Sequence, residues 1–411
     1  MRGNRVKANS SILRRRARRA APARKDSATG PMIALHRQGL PVWTPRNYAE
    51  LAREGFARNA VAYRCVRLIA ESAAALPWLL YERREGRTYE LDDHPLLALL
   101  AKPNPLQSGP ELMEAWYGFL MISGNAYLEA VDVAAQPREL YALRPDRMSL
   151  IPGPRGWPVA YEYKAGGGKV RFDIDRAAGR DPILHLRLFH PLNDYYGFSP
   201  IEAAAAGIDI HNAAGSWNKA LLDNGARPSG ALIYHGADGQ ANLSEEQFAR
   251  LKSELGDNYQ GTANAGRPLL LEGGLDWKEM SFNPKDMDFI QSKNISAREI
   301  AAAFGVPPML LGITGDNTYA NYQEANRAFY RQTVLPLAGK AARALSAWLG
   351  PRFGGDLRLW YDADQVEALS YDRELLWKRV RSADFLTVNE KRAALGYAPI
   401  AGGDALPENS D

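Results

Sequence analysis

Apolar residues recur every three or four positions in several long stretches, which is the spacing that places them on one side of a helix. In the first stretch, from about Ala57 to Ala75, the apolar side carries Val61, Cys65, Leu68 and Ile69. Pro77 lies just beyond and ends the pattern, because proline cannot donate a helical hydrogen bond. The same spacing predicts further helices over residues 109–122, 200–223, 284–304, 322–349 and 372–384.

Shorter segments bounded by turn residues predict strands. Trp78–Arg83 and Thr88–Leu91 flank Glu85-Gly86, an arrangement that predicts a hairpin. Further predicted strands cover residues 126–133, 159–163, 170–174 and 183–188, with a turn at the three glycines that start at Gly166. Helices and strands in separate runs predict an α+β fold for the first half of the chain.

Two long predicted helices flank a small insertion. The first begins at a good start signal, since Ser199 can cap it, Pro200 suits the first helical position and Glu202 completes a capping box. Its centre contains many alanines together with Gly207 and Gly215, which suits either an ordinary core helix or the close approach of another helix. The insertion alternates strand, helix and strand over residues 231–234, 244–255 and 269–271. A helical hairpin with a small domain at its tip is predicted.

A polar, glycine-containing segment, residues 311–321, follows the prolines that end the second long helix. Pro336 lies inside the third long helix and is expected to kink it, because it removes one backbone hydrogen bond. Nearer the C-terminus, residues 357–361 predict a strand, and Thr387 to Glu390 form a capping box that starts a short helix. Residues 1–44 and 401–411 lack periodicity and are expected to be disordered.

The formal net charge of +4 over 411 residues is unevenly distributed. Ten basic residues and no acidic residue lie between Arg2 and Lys25, which leaves 41 basic against 47 acidic residues in the rest of the chain. This basic N-terminal arm could bind a polyanion or could simply be solvated. The single cysteine, Cys65, excludes an internal disulfide, and no apolar run approaches the roughly 18 residues that a membrane span requires. An intracellular protein without a membrane segment or secretory signal is expected.

The sequence contains no phosphate-binding loop, HExxH zinc motif, nucleophile elbow or Rossmann fingerprint. Two carboxylate pairs, Asp173/Asp175 and Asp362/Asp364, each follow a predicted strand. Either pair could help to bind magnesium in a nuclease-like site, but residues at such positions also serve as turn or capping groups. We therefore expect no catalytic residue, no metal site and no cofactor.

Eight groups of short motifs occur in an order that resembles HK97-type phage portal proteins, over roughly residues 45–400. The most specific of them is Ile300–Gly312. The others are Tyr63–Glu71 with Leu76-Pro77, His94–Leu96 with Pro103–Pro105, Gly124–Tyr127, Leu143–Arg147, Gly197–Ile201, Asn224–Gly230 and Asn389–Arg392 with Gly396-Tyr397. The Arg-rich N-terminus lies outside the shared pattern, and residues 236–266 match no motif closely.

The resemblance implies a portal fold and a ring, usually of twelve subunits, at one vertex of a capsid. Its implied parts are an α/β wing at 45–198, stem helices at 199–224 and 283–305, a small α/β clip at 225–282, a tunnel loop at 306–321, a long kinked wing helix at 322–349 and a helical crown at 350–400. The implied partners are double-stranded DNA, the large subunit of terminase, a head–tail adaptor and the major capsid protein. The implied location is the virion, after assembly in the cytoplasm of the bacterial host, and the particle is a phage, a prophage remnant or a gene transfer agent.

Under this resemblance the residues that face DNA are the polar ones of the tunnel loop, namely Thr314, Asn317, Thr318, Tyr319 and Asn321. They offer hydrogen bonds to phosphates without fixed charge. Basic residues of the second stem helix could form positive rings around the channel, or could pair with Asp286, Asp288 or Glu299; they are Lys285, Lys293 and Arg298. Two other functions remain open: a metal-dependent phage nuclease or packaging enzyme, and a minor capsid protein without a channel.

Overall fold

The computed structural model describes Thr44 and residues 47–406, apart from 135, 155, 176–180, 224–229, 235–243, 260–274, 280–288, 314–317, 396 and 398–399. Thr44 is held against the body of the protein, because its backbone N–H donates to the Asp209 carboxylate at 3.0 Å. The predicted disorder of the remaining N-terminal arm lies outside the described residues.

The described helices run in chain order from α1 to α12, and the predicted helices are among them. They are α1 (Tyr48–Glu50, continued by a π-helical turn, Leu51–Ala57), α2 (Ala60–Ala74), α3 (Pro95–Ala101), α4 (Gly109–Ser123), α5 (Pro200–Ala203), α6 (Ala205–Asp223), α7 (Glu245–Tyr259), α8 (Phe289–Phe304), α9 (Tyr319–Phe329), α10 (Leu335–Phe353), α11 (Ser370–Arg381) and α12 (Val388–Ala394). Asn59 caps α2, because its carboxamide oxygen accepts from the N–H groups of Val61 and Ala62.

The strands form small antiparallel sheets. They are β1 (Trp78–Arg84), β2 (Arg87–Glu90), β3 (Asn125–Val133), β4 (Gln136–Leu143), β5 (Met148–Pro152), β6 (Pro158–Ala165), β7 (Gly168–Asp173), β8 (Ile183–Arg187), β9 (Gly230–Tyr234), β10 (Leu275–Glu279) and β11 (Leu357–Tyr361). Their orders are β11-β1-β2, β4-β3-β8, β5-β6-β7 and β10-β9. The combination of helices with small antiparallel sheets confirms the α+β class.

The core lies where α2 and α4 pack on each other and on the sheets. Trp116 and Tyr117 of α4 and Ile69 of α2 are fully buried there. Arg352 of α10 is buried as well, and its guanidinium pairs with Asp132 of β3 at 3.2 Å while lying over the Trp348 ring. This ion pair between the buried Arg352 and the more exposed Asp132 joins the C-terminal half of α10 to the sheet of β3.

Strand β11 lies in the same sheet as the N-terminal hairpin, with Leu80 opposite Leu359. The sequence predicted β11 correctly. Helix α10 continues to Phe353, four residues beyond the predicted end of the third long helix at Leu349, and β11 joins the sheet of β1 and β2.

The two long helices α6 and α8 pack against each other. Gly207 lies at their contact, where a methyl group in its place would come within 3.5–3.6 Å of Glu299 and Ile300. At Gly207 the small residue thus serves a contact between helices within the subunit. At Gly215 an added methyl group would meet no described atom within 4 Å outside its own helix. In the insertion, β10 pairs with β9 at residues 275–279, while the predicted strand at 269–271 lies outside the described residues.

The third long helix is interrupted directly before Pro336, as its sequence predicts. A π-helical turn, Tyr330–Val334, lies between α9 and α10. The ring of Pro336 removes one helical hydrogen bond, and a π-helical turn is a common way to accommodate such a gap. The helix begins at Tyr319, three residues before the predicted start at Tyr322.

The chain after α12 is ordered for longer than its composition predicts. The amide nitrogen of the buried Asn389 donates to the Ile400 carbonyl at 3.0 Å and to Asp404 Oδ1 at 2.7 Å, while its backbone N–H donates to the Gly403 carbonyl. The predicted disorder from residue 401 is therefore wrong for 401–404. A polar side chain that is buried in α12 satisfies its hydrogen-bonding groups with this segment.

Candidate nucleic-acid interface

The segment that the sequence predicts to contact DNA, residues 306–321, begins directly after a residue that is hydrogen-bonded to the rest of the protein. Helix α8 ends at Gly305, whose φ of +66° is in the left-handed region that favours glycine. The Thr333 hydroxyl in the π-helical turn donates to the Gly305 carbonyl at 2.6 Å. A 3-10 turn, Pro308–Leu311, follows and ends at Gly312, again with positive φ. The Ile300–Gly312 motif therefore ties the end of α8 to the middle of the third long helix.

The end of the segment is the start of α9. Thr318 caps this helix, since its hydroxyl accepts from the Asn321 N–H at 3.2 Å. Tyr319 and Asn321 consequently lie in the first turn of α9, whereas the sequence had suggested that they lie in a loop. Tyr319 is 78% exposed, and Gln323 donates to its hydroxyl at 3.1 Å. Thr314 and Asn317 lie outside the described residues.

Tyr319 also borders a groove of about 1040 Å³ between α9 and α11. Aromatic residues that are about half exposed or more line it, together with Arg327, whose guanidinium lies over the Tyr371 ring. The aromatic lining residues are Tyr319, Tyr322, Tyr371 and Trp377. Sequence reasoning missed this groove, because the two tyrosines of α9 and the two aromatics of α11 lie about fifty residues apart.

Two of the three predicted basic residues, Lys293 and Arg298, lie on α8. Lys285 lies outside the described residues, and Arg298 is exposed. Lys293 is partly buried and close to His211 of α6. Burial lowers the pKa of His211, and the Lys293 cation lowers it further. Lys293 therefore lies beside α6.

An apolar stripe runs along the exposed side of α6. Its members are Ala206, Ile210, Ala213, Trp217 and Ala220, all of which are exposed. Their spacing of four, three, four and three residues averages 3.5, the repeat at which one helix packs along another in a coiled coil. Ile210 and Trp217 expose 40% and 50% of their surface. In the described part of a single subunit, this side of α6 is thus apolar and exposed to solvent.

Two of the sequence motifs meet directly before α5 and α6. The carboxamide oxygen of Asn125 accepts from the Gly197 N–H at 2.7 Å and from His185 Nε2 at 3.0 Å. Gly124 has a φ of +73°, and a methyl group there would lie 2.6 Å from the Gly197 carbonyl. Two residues after Gly197, Ser199 caps α5. The Gly124–Tyr127 and Gly197–Ile201 motifs therefore fix where the chain leaves the sheet for α5 and α6.

His185 is neutral in this arrangement. Burial lowers its pKa to about 3, and the neighbouring Arg187 contributes in the same direction. Because Asn125 Oδ1 also accepts from a backbone N–H, His185 Nε2 must carry the proton that it donates. The ring stacks on Tyr127 with centroids 4.3 Å apart. This histidine is a core residue whose ring is hydrogen-bonded and stacked within the protein, as its place in an apolar strand predicts.

The two carboxylate pairs serve local structure. Asp173 accepts from Arg171 at 2.7 Å. Asp362 accepts from the Asp364 N–H at 2.8 Å and from Gln365 at 3.0 Å, so it closes a turn after β11. Among the described residues, no group of three or more His, Cys, Asp or Glu side chains could hold a metal ion. In the same part of the chain, none of the helices combines the length and apolar character of a membrane span.

Comparison with known proteins places these features in a family. The family model described as "Phage portal protein" matches residues 60–396. The chain is 53% identical to a chain of the neck of an empty gene transfer agent particle computed with C6 symmetry, at a TM-score of 0.69, covering 91% of this chain and 100% of that one. A chain of the native particle's neck computed with C12 symmetry is also 53% identical, with a TM-score of 0.67 and coverage of 88% and 96%.

A more distant relative is the portal protein of Enterobacteria phage HK97, which is 26% identical over 358 residues, or 84% of this chain and 80% of that protein. The family model spans the helices and sheets described above, including the junction of the Gly124 and Gly197 motifs and the Ile300–Gly312 motif. The chain belongs to the phage portal protein family.

Proposed function

We propose that this chain is the portal subunit of a phage or gene transfer agent particle, in which copies form a ring around a channel for double-stranded DNA. The observation that carries the proposal is the exposed apolar stripe of α6, considered with membership of the portal family. A stripe with a repeat of 3.5 residues that is exposed in the described part of a single subunit is suited to packing against a neighbouring helix. The alanines permit that helix to approach closely.

The helix that covers the stripe is part of the next copy in the ring. A contact between two different surfaces of identical subunits repeats around an axis and closes when the rotation fits. The opposite side of α6 is buried against α8. The α6–α8 pairs of neighbouring subunits would therefore pack side by side around the ring axis. The relatives solved with C6 and C12 symmetry support a closed ring, for which we propose twelve subunits.

The segment between Gly312 and Tyr319 would face the channel. Its polar residues offer hydrogen bonds without fixed positive charge, and each neutralised phosphate would otherwise strengthen DNA binding and slow passage. Thr314, Asn317 and Thr318 are the proposed contacts of the loop, and Tyr319 and Asn321 those of the first turn of α9. Lys285 and Arg298 remain candidates for basic rings, whereas Lys293 is a weaker one because it lies beside α6.

The ring would act without catalysis of its own. We propose that the large subunit of terminase hydrolyses ATP while docked on the insertion at 225–282, that an adaptor later joins head to tail, and that the major capsid protein surrounds the wing at the portal vertex. The carboxylates of Asp173 and Asp362, which a nuclease would need for metal binding, are occupied by arginine and by turn hydrogen bonds. Magnesium-dependent cleavage of DNA by the purified chain that Asp362→Ala abolishes would refute this part.

Electron microscopy and native mass spectrometry of the purified protein test the proposal. We expect closed rings with a central hole wide enough for B-form DNA. Ile210→Glu places a charge in the stripe at a position that is 40% exposed in the single subunit, so the subunit should fold while rings are lost. Val133→Glu, at a 58% exposed position at the end of β3, is the matched control and should form rings. Rings of Ile210→Glu with wild-type abundance would contradict the proposed interface.

A further inference from the structure

A second surface with a distinct chemistry lies at the C-terminal ends of α11 and α12. The last turn of α11 carries Lys378, Arg379 and Arg381, and the last turn of α12 carries Lys391 and Arg392. We call these five residues the basic cluster. Residues 375–395 contain only two acidic residues, Asp384 and Glu390, against the five basic ones. This segment therefore has a net charge of +3, whereas the chain beyond the N-terminal arm has an excess of acidic residues.

The cations of α11 are available to a ligand. Lys378, Arg379 and Arg381 are all exposed, and none of them forms an ion pair or a side-chain hydrogen bond with another described residue. The acidic residues nearest in sequence, Glu374 and Asp384, form no ion pair with them in the described part of the chain. The Glu390 carboxylate accepts from the Thr387 N–H at 2.8 Å in the capping box of α12.

An aromatic contact brings the two basic helix ends together. The Trp377 ring, next to Lys378, meets the Tyr397 ring edge to face with centroids 6.3 Å apart. The Arg392 guanidinium lies over the same Tyr397 ring, 5.5 Å from the ring centroid. Cations in a last turn favour each helix separately through its dipole. That effect does not account for two such ends gathered around one exposed aromatic pair.

A polyanion with regularly spaced charges is the ligand that fits such a surface. The exposed lysine and arginines of α11, which form no ion pair with described carboxylates, match the phosphate contacts by which proteins hold duplex DNA without reading its sequence. The exposed aromatic rings add apolar surface beside the charges. The cluster differs from the loop at 312–321, whose proposed contacts are neutral.

We propose that the basic cluster binds the phosphate backbone of double-stranded DNA and forms a contact for the genome separate from the channel loop. The proposal rests on the proposed function, since the ligand is the DNA that the ring would conduct. In a closed ring the cluster would recur in every subunit. DNA beyond the channel would then meet a circle of weak, sequence-independent contacts that strengthen as salt falls.

Titration of a fluorescent DNA duplex of random sequence with purified full-length protein, over a series of salt concentrations, tests the proposal. The variant replaces Lys378, Arg379 and Arg381 by alanine. Each lost phosphate contact should reduce the slope of log affinity against log salt by about one, so we expect a smaller slope and at least about tenfold weaker binding at low salt. The N-terminal arm is the same in every sample and cancels from the comparison.

The matched control removes the same charges elsewhere. Lys102, Arg87 and Arg138 are exposed and form no ion pair or side-chain hydrogen bond with described residues, and their replacement by alanine should leave slope and affinity unchanged. Equal slopes for the cluster variant and wild type overturn the proposal, as does an equal loss in both triple variants. Electron micrographs of the same samples separate this failure from that of the proposed function, because rings that form but bind DNA unchanged disprove only the basic cluster.

Discussion

Replacement of Asn125 by alanine should destabilise the subunit strongly. The carboxamide oxygen accepts from two groups, the Gly197 N–H at 2.7 Å and His185 Nε2 at 3.0 Å, and the amide nitrogen donates to the Ser123 carbonyl at 2.8 Å. Asn125 is 7% exposed, so water cannot replace these bonds without opening the structure. A buried donor left without a partner costs about 1–3 kcal/mol, and two such donors remain. We expect a loss of about 3–5 kcal/mol.

Equilibrium unfolding in guanidinium chloride, followed by near-ultraviolet circular dichroism at one protein concentration, measures this loss. Asn193→Ala is the matched control, because the Asn193 side chain also accepts from two backbone N–H groups, those of Tyr195 at 2.9 Å and Tyr196 at 3.0 Å, but is exposed. Water can satisfy the groups that this variant leaves, so we expect a loss of only about 1 kcal/mol. Equal losses in the two variants would refute the argument that burial sets the cost.

Two further predictions concern the same junction. Since the pKa of His185 falls from 6.5 in the unfolded chain to about 3 on folding, the unfolded state binds more protons between these values, and stability should drop by about 2 kcal/mol from pH 7 to pH 5. His185→Gln should show a shallower fall in the same unfolding measurement, and an unchanged pH dependence would count against the buried neutral ring. Gly124→Ala combines a positive φ with a methyl group 2.6 Å from backbone atoms and should cost about 3 kcal/mol, whereas Gly118→Ala, with open space around it in α4, should gain up to about 1 kcal/mol in thermal unfolding. A tolerated Gly124→Ala would show that the backbone can shift there.

The local pattern of the sequence predicted most of the secondary structure correctly. Helix starts with a capping residue were especially clear, as at Ser199 and Thr387, because a cap depends on residues within one turn of each other. The interruption before Pro336 was equally local, since it follows from the missing N–H of one residue. The ordered motifs also identified the family correctly, because a family pattern is a property of the sequence itself.

The tertiary structure decided which distant segments meet. The pairing of β11 with β1 joins residues that are about 280 positions apart, and nothing in either strand specifies its partner. The contact of Gly124 with Gly197 and the burial of Asn389 against residues 400–404 likewise depend on packing between segments that sequence periodicity treats separately. The groove between α9 and α11 and the two basic helix ends beside Tyr397 also depend on such packing.

The sequence by itself determined the elements and the family, because those depend on near neighbours and on motif order. Only the folded chain determined its surfaces, because a surface depends on which side of each element is covered by others.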